Sequence, residues 1–208
     1  MKFKKKIKSK WHQDRLKDVF FNEAKKLGYR SRSAFKLLEI NKKFRILKKG
    51  QNALDIGGSP GGWSQILSKK IFSSEKGNKI LTVDLKIFKP IDNVLSIKKD
   101  IFDDDFILLL KKYFSNGIDL IVSDAAPSAT GNKFVDHIKT VELSERSFEI
   151  AKNLLNKGGF LVIKIFDGKE TERICNLIKK QFLQLNLYKP KSSRSDSKEI
   201  YIISKFLK

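Results

Sequence analysis

The sequence predicts an α/β fold built on a mostly parallel β-sheet with helices on both faces. Three observations favour this class: short apolar segments alternate with segments of helical periodicity, the chain has 208 residues, and only a loop separates its last two strand-like segments. Repeated alternation of strands and helices is typical of right-handed crossovers between parallel strands. A chain of this length corresponds to about one domain and can bury a sizeable core without a metal or a disulfide.

The predicted elements follow one another in a regular order. Apolar segments predict strands at residues 53–57, 80–85, 94–97, 120–123, 160–166, 182–188 and 199–206. The spacing of apolar residues predicts helices over residues 11–27, from Ser31 or Ser33 to about residue 41, and over 61–72, 106–113, 138–155 and 171–182. Gly28 is suited to end the first helix. Because residues 189–198 leave no room for a helix, we expect the last two strands to pair antiparallel.

The charge of the chain favours a polyanionic partner. Lys and Arg number 44 against 23 acidic residues, which gives a formal net charge of +21. Such an excess is typical of proteins that bind nucleic acid, and less often of proteins that bind a membrane surface. Only seven of the basic residues are Arg, so a lysine-rich composition inherited from an AT-rich genome remains an alternative explanation.

Composition also limits the domain organisation and the compartment. We interpret residues 1–10 as a basic arm and residues 11–208 as a single domain. No apolar stretch typical of a secretory signal follows the arm, so we do not interpret it as one. The longest apolar runs are far shorter than a membrane span requires. Cys175 is the single cysteine, which excludes an internal disulfide and a multi-cysteine metal site. We expect a reducing compartment: the cytoplasm or, in a eukaryote, the nucleus, mitochondrion or plastid. We expect no metal, and nothing implies an obligate protein partner.

A glycine-rich turn at residues 57–62 is the most specific local motif. An apolar strand precedes it and a helical pattern follows, so its glycines can bring the backbone close to a ligand at a helix N-terminus. Asp84 ends the next predicted strand, at a spacing that suits a carboxylate accepting from ribose hydroxyls. The pair predicts a nucleoside site, and the alternative is a strand–helix turn without a ligand.

The choice of nucleoside cofactor depends on how the turn differs from the dinucleotide-binding motif. The turn does not have the glycine spacing of that motif, and Pro60 removes a backbone N–H that a pyrophosphate would use. Asp55, just before the turn, suits a cationic or amino-acid ligand better than a phosphate. S-adenosylmethionine carries both an ammonium and a sulfonium, so we favour it over a nicotinamide dinucleotide.

Polar residues also stand where other predicted strands end or begin. Asp124 follows the fourth strand, Lys164 interrupts the apolar fifth strand, and Glu199 opens the last one. A charge within a buried strand is costly unless it is paired, and the strand that ends at Asp124 should neighbour that of Lys164. The alternative for Lys164 is a structural ion pair or a side chain that reaches solvent. Lys36, on an early helix, is a weaker candidate by itself, since most helix lysines are solvated.

Five separated segments resemble those of one enzyme family. They are Arg30-Ser-Arg-Ser-Ala-Phe-Lys-Leu37, Pro60-Gly-Gly-Trp-Ser-Gln65, Ser123-Asp-Ala-Ala-Pro127, Val162-Ile-Lys-Ile-Phe166, and Ser192-Ser193-Arg194 with Glu199-Ile-Tyr201. In them, and over nearly its whole length, the chain resembles the FtsJ/RrmJ family of RNA ribose 2′-O-methyltransferases. Gly58-Ser59 is a departure, since relatives more often carry alanines there. The resemblance implies a Rossmann-like methyltransferase fold whose seven-stranded sheet has an antiparallel last strand.

The resemblance also implies roles for particular residues. The catalytic set of the family falls on Lys36, Asp124, Lys164 and Glu199. The implied contacts to S-adenosylmethionine are Gly61, Trp63, Asp84, Asp100 and Asp124, with Asp100 accepting from the adenine amino group. The sequence leaves open whether Lys164 removes the proton of a ribose 2′-hydroxyl or mainly orients that hydroxyl.

The substrate implied by the resemblance is RNA. The sequence is most similar to relatives that methylate a uridine of large-subunit ribosomal RNA, and a tRNA anticodon loop is the alternative. A nicotinamide-dependent oxidoreductase and a non-catalytic RNA-binding protein are alternatives from other classes. We expect RNA to approach the side of Lys36, held by basic residues of the N-terminal region. They are Lys2, Lys4, Lys5, Lys6, Lys8, Lys10, Arg30 and Arg32.

Overall fold

The fold is organised around one seven-stranded β-sheet. In the computed structural model, which describes residues 18–127 and 130–208, the strands lie in the order β3-β2-β1-β4-β5-β7-β6. Their bounds are β1 Ala53–Ile56, β2 Ile80–Asp84, β3 Leu95–Lys98, β4 Ile118–Ser123, β5 Leu155–Phe166, β6 Phe182–Tyr188 and β7 Glu199–Leu207. Strands β1 to β5 are parallel to one another, whereas β7 pairs antiparallel with both β5 and β6. The predicted class, including its antiparallel last strand, is confirmed.

Helices cover both faces of this sheet. Their bounds are α1 Val19–Lys26, α2 Ser33–Phe44, α3 Gly62–Ile71, α4 Phe106–Tyr113, α5 Lys133–Leu154 and α6 Thr171–Lys179. Apolar residues of α2 and α3 join the core on one face, and those of α4, α5 and α6 join the core on the other. Because both faces are covered, central strands such as β1 are buried along their whole length, as expected for a parallel sheet.

Two elements, α5 and β5, begin five residues earlier than predicted. Helix α5 begins at Lys133 rather than at residue 138, because the Asn132 side chain accepts from the backbone N–H groups of Phe134 and Val135 and so caps the helix. Strand β5 begins at Leu155 rather than at residue 160, because its first residues pair with the start of β4 ahead of a break in register.

Within the predicted first helix, residues 19–26 form α1, which begins after Asp18. Asp18 caps α1 by accepting from the N–H of Phe21, and Gly28 follows the helix with a φ of 73°. Gly28 therefore has the left-handed conformation expected of a residue that ends a helix. The predicted arm at residues 1–10 and the start of the predicted first helix lie outside the described residues. In the part of the chain that the structure describes, no helix is long and apolar enough to cross a membrane.

Candidate active site

The candidate site lies at the carboxyl edge of the sheet, which we define as the edge where β1 to β5 end. There β1 is flanked by β2 and β4, so the helices that follow β1 and β4 leave toward different sides of the sheet. Ligands of open α/β sheets bind in the crevice that this change of direction creates. Gly57 begins the turn with a φ of 75°, and a Cβ there would lie 2.6 Å from Cα of Ala125. Only glycine permits so close an approach of the β1 and β4 loops.

A cavity of about 490 Å³ opens in this crevice. Asp84, Asp100 and Asp124, three of the residues predicted to contact a cofactor, line it. Both oxygens of Asp84 are oriented by the backbone, since they accept from the N–H groups of Ser59 at 2.9 Å and Lys86 at 2.8 Å. Asp100 accepts from the N–H of Phe102 at 3.0 Å. A carboxylate oxygen can accept more than one hydrogen bond, so Asp84 and Asp100 retain acceptor capacity toward the cavity.

Two other predicted cofactor contacts occupy different positions. Gly61 and Trp63 are not among the residues that line the cavity. The Trp63 side chain is 2% exposed, its Nε1 donates to the carbonyl of Ser33, and its ring packs against Tyr201 at 5.7 Å between centroids. The Trp63 indole therefore joins α3 to α2 and β7, and the contacts of Gly61 and Trp63 with a cofactor stay predictions.

Asp55 lies behind the glycine turn rather than in the cavity. Its side chain is fully buried and accepts from the Ser64 hydroxyl at 2.5 Å, while Oδ1 has no hydrogen-bond partner. Burial raises its pKa to about 7, partly offset by the bond from Ser64. The sequence-based interpretation of Asp55 as a group facing a cationic ligand is therefore not supported by its position.

The four predicted catalytic side chains meet beside the cavity. Lys164 Nζ lies 2.9 Å from Oδ1 of Asp124 and also donates to the Asp124 carbonyl. Lys36 Nζ lies 2.8 Å from Glu199 and 3.8 Å from Oδ1 of Asp124. The charges thus alternate along a row from Glu199 through Lys36 and Asp124 to Lys164. We call this row the ionic network.

Strand register and helix phase explain why the ionic network forms. Asp124 directly follows Ser123, which pairs with Ile163, and this places its carboxylate beside Lys164 on the neighbouring strand. Strand β7 pairs with β5 so that Glu199 lies opposite Phe166, two residues beyond Lys164. Lys36 belongs to the buried side of α2, so it points toward the sheet rather than to solvent.

The ionic network is largely withdrawn from water. The side chains of Lys164 and Asp124 are 7% and 16% exposed, and those of Lys36 and Glu199 are both 11% exposed. Burial opposes the charge of Asp124, but the adjacent Lys164 and Lys36 outweigh it and hold the pKa of Asp124 below its usual value. Charges this poorly hydrated are tolerated because each has an oppositely charged partner within hydrogen-bond distance.

Sequence reasoning missed Tyr201 as a member of the site. Its hydroxyl donates to Oδ1 of Asp124 at 2.7 Å, and the residue is 0% exposed. Burial and the negative charge of Asp124 raise the pKa of Tyr201, which keeps its hydroxyl protonated as a donor. The alternation of Glu199 and Tyr201 along β7 could have indicated that both side chains face the same side of the strand.

Two arginines predicted to hold RNA are engaged within the chain. Arg30 donates to the carbonyls of Pro60, Lys89 and Pro90, and so ties residues 89–90 to the glycine turn. Arg32 forms an ion pair with Asp18. Their proposed contact with phosphates stays a prediction.

The fold is that of a Rossmann-like enzyme, with a ligand-sized crevice at the end of β1. The sequence model of the FtsJ-like methyltransferases matches residues 29–206. The chain belongs to this family, and it is a methyltransferase.

Curated relatives agree with this assignment. A Wolbachia pipientis protein named ribosomal RNA large subunit methyltransferase E is 41% identical over 189 residues, which is 91% of this chain and 95% of that protein. A Pelagibacter ubique protein of the same name is 39% identical over 205 residues, which is 99% of each chain. The crystal structure of a Plasmodium falciparum protein, described as a ribosomal RNA methyltransferase, has a TM-score of 0.76 and 35% identity. The match covers 86% of this chain and 98% of that chain.

Proposed function

We propose that the protein transfers a methyl group from S-adenosylmethionine to a ribose 2′-hydroxyl of large-subunit ribosomal RNA, with a uridine as the target. The observation that carries this proposal is the ionic network, which holds the buried Lys164 against Asp124, a residue that lines the cofactor-sized cavity. The names of the curated relatives support ribosomal RNA as the substrate class.

The cavity residues fit S-adenosylmethionine. Gly57 lines the cavity without a side chain to fill it, and Asp84 and Asp100 offer acceptors to ribose hydroxyls and to an adenine amino group. When bound, this cofactor supplies the methyl group.

The hydrogen bonds of Lys164 favour an orienting role over that of a base. An ammonium group has three N–H donors. Two are used by the carboxylate and the carbonyl of Asp124, so one remains for the ribose 2′-oxygen. A positively charged donor aimed at that oxygen orients its lone pairs and stabilises the negative charge that develops on it, while the hydroxyl proton passes to water.

The other members of the ionic network hold Lys164 in place. Asp124 binds it directly, and Tyr201 donates to the same carboxylate oxygen. Lys36 is held by Glu199 and faces Asp124 from the opposite side, where it offers a second positive charge to the substrate oxygen.

The proposal is tested by incubating the protein with isotope-labelled S-adenosylmethionine and undermethylated large ribosomal subunits, free ribosomal RNA or tRNA. We expect label in large-subunit RNA, at the 2′-oxygen of a uridine, and none with Lys164→Met. Label on a base, or on tRNA alone, would contradict the proposed substrate.

A further inference from the structure

The edge of the sheet opposite the candidate site carries a concentration of basic side chains. Five adjacent strands, β2, β1, β4, β5 and β7, share one row of paired residues at this edge. Ala53 pairs with both Ile80 and Leu120, and Phe160 pairs with both Leu120 and Lys205. The segments that lead into or out of this row are residues 45–52, 72–79, 114–117, 156–159 and 204–208.

These segments hold eight basic residues and a single acidic residue, Glu75. We call the eight residues the basic edge. They are Arg45, Lys48, Lys49, Lys76, Lys79, Lys157, Lys205 and Lys208.

Within residues 18–127 and 130–208, no member of the basic edge forms an ion pair. The nearby carboxylate of Asp119 is occupied instead by the backbone N–H of Asn52 at 2.8 Å and the side-chain amide of Asn156 at 2.8 Å. The positive charge at this edge is therefore not neutralised by the described part of the chain.

Aromatic rings and carbonyl groups orient several of these lysines. Lys48 Nζ lies 5.5 Å from the centre of the Phe160 ring, and Lys205 Nζ lies 5.4 Å from that of Phe44. Lys79 lies 5.0 Å from the Tyr113 ring centre and donates to the Tyr113 carbonyl at 2.6 Å. Such contacts position an ammonium group but leave its charge free to attract an anion.

Stabilisation of helix ends does not explain the basic edge. Lysines in the last turn of a helix interact favourably with the helix dipole. Apart from Arg45, which follows α2 directly, members of the basic edge lie in loops or in strands. A row of unpaired cations across several strands instead suits the regularly spaced phosphates of a nucleic acid.

We propose that the basic edge binds the phosphate backbone of a second segment of the RNA substrate, distinct from the segment that presents the target ribose. The identity of the ligand rests on the proposed function, and the assignment of this edge goes beyond it. Lys164 lies four positions after Phe160 on β5, a rise of about 13 Å. An RNA that contacts both edges must therefore pass around the sheet, as a folded RNA or a ribosomal subunit can and a short oligonucleotide cannot.

The test compares two triple variants that remove the same charge. One is Lys48→Gln/Lys49→Gln/Lys76→Gln. Its control, Lys111→Gln/Lys112→Gln/Lys152→Gln, changes exposed lysines in the last turns of α4 and α5. These lysines lie next to the same edge, but the helix dipole accounts for them. Binding of a large-subunit ribosomal RNA transcript is measured by filter retention over a series of KCl concentrations, for both variants and for the wild type.

We expect the slope of log K against log[KCl] to become shallower by about 2 in the basic-edge variant, since each lost phosphate contact removes about 0.7–0.9. The control variant should keep the wild-type slope. An unchanged slope in the basic-edge variant, or an equal reduction of the slope in the control, would overturn the proposal. Binding of the protein to phosphatidylserine vesicles and not to the RNA transcript would also overturn it.

The proposed function is scored separately in the same preparations. Methyl transfer to the transcript is measured for the wild type and for Lys164→Met. If methyl transfer fails while the slopes differ as expected, the catalytic proposal is wrong and the basic edge still binds RNA. If methyl transfer occurs while the slopes coincide, the inference about the basic edge is wrong and the catalytic proposal stands.

Discussion

The two edges of the sheet use lysine in opposite ways. At the carboxyl edge, Lys36 and Lys164 are buried and each lies within hydrogen-bond distance of a carboxylate. At the basic edge, Lys48 and Lys49 are exposed and form no ion pair with the described residues. A paired, buried lysine has a fixed geometry suited to chemistry, whereas an unpaired, hydrated one contributes long-range attraction. The net charge of the protein therefore indicates how it attracts its partner rather than where it reacts.

The largest expected effect comes from removing the carboxylate that both buried lysines share. Asp124→Ala leaves the buried Lys164 without a counter-charge and facing Lys36, which keeps only Glu199. We expect the free energy of unfolding to fall by about 3 kcal/mol and kcat/KM to fall by about 10³-fold or more. Urea unfolding and a methyl-transfer assay measure the two effects.

Asp100→Ala is the matched control for this change. Asp100 lines the same cavity but accepts only from the backbone of Phe102, so its loss should cost about 1 kcal/mol of stability. Equal destabilisation by the two variants would show that the ionic network does not depend on Asp124 as described.

The next effect is on the pH dependence of stability. Asp55 has a pKa of about 7 in the folded protein, raised from 3.8 by burial. Between these two values the folded state binds a proton that the unfolded state has lost, so stability falls as the pH rises. From pH 5 to pH 8 we expect wild-type stability to fall by about 2–3 kcal/mol relative to Asp55→Asn. Urea unfolding measures the free energy of unfolding over this pH range. The raised pKa would be contradicted if this free energy changed with pH in the same way for both proteins.

A change at the end of β2 should separate cofactor binding from chemistry. Asp84→Asn removes a charged acceptor from the cavity, and we expect the Kd for S-adenosylmethionine to rise about 10- to 100-fold. The rate at saturating cofactor should stay close to that of the wild type, because Asp84 does not touch the ionic network. Isothermal titration calorimetry measures the Kd, with exposed Asp104→Asn as the control. An unchanged Kd would remove Asp84 from the cofactor site.

The smallest effect is expected from the hydroxyl of Tyr201. Tyr201→Phe removes one hydrogen bond to Asp124, worth about 1.5 kcal/mol, and so should lower kcat about tenfold with little change in KM. Tyr113→Phe, near the basic edge, should leave kcat unchanged. A rise in KM without a fall in kcat would mean that Tyr201 supports substrate binding rather than the position of Asp124.

Much of the fold and part of the site were predictable from the sequence. Alternating segments were enough to predict the parallel sheet, and a loop-only connection predicted the antiparallel β7. The proximity of Asp124 and Lys164 followed from the expectation that their strands are neighbours. The roles of these residues in catalysis and cofactor binding stay predictions, because burial and distance do not by themselves measure turnover.

Other features depended on contacts that a linear pattern does not contain. Tyr201 looks like an ordinary core residue in a β-strand until the position of Asp124 is known. The burial of the Trp63 indole depends on the packing of α3 against α2, which no local motif specifies. The basic edge joins loops that are far apart in the chain, so its charge becomes visible only when the strand order is known.

The most direct test of the account is single-turnover methyl transfer by Lys164→Met at saturating ribosomal RNA, together with calorimetric titration of S-adenosylmethionine. Because Lys164 faces Asp124 and is not among the residues that line the cavity, its removal should leave cofactor affinity nearly unchanged. Loss of the donor to the ribose oxygen should slow methyl transfer by about 10³-fold. A rate within about tenfold of the wild type would contradict the proposed chemistry at the ionic network.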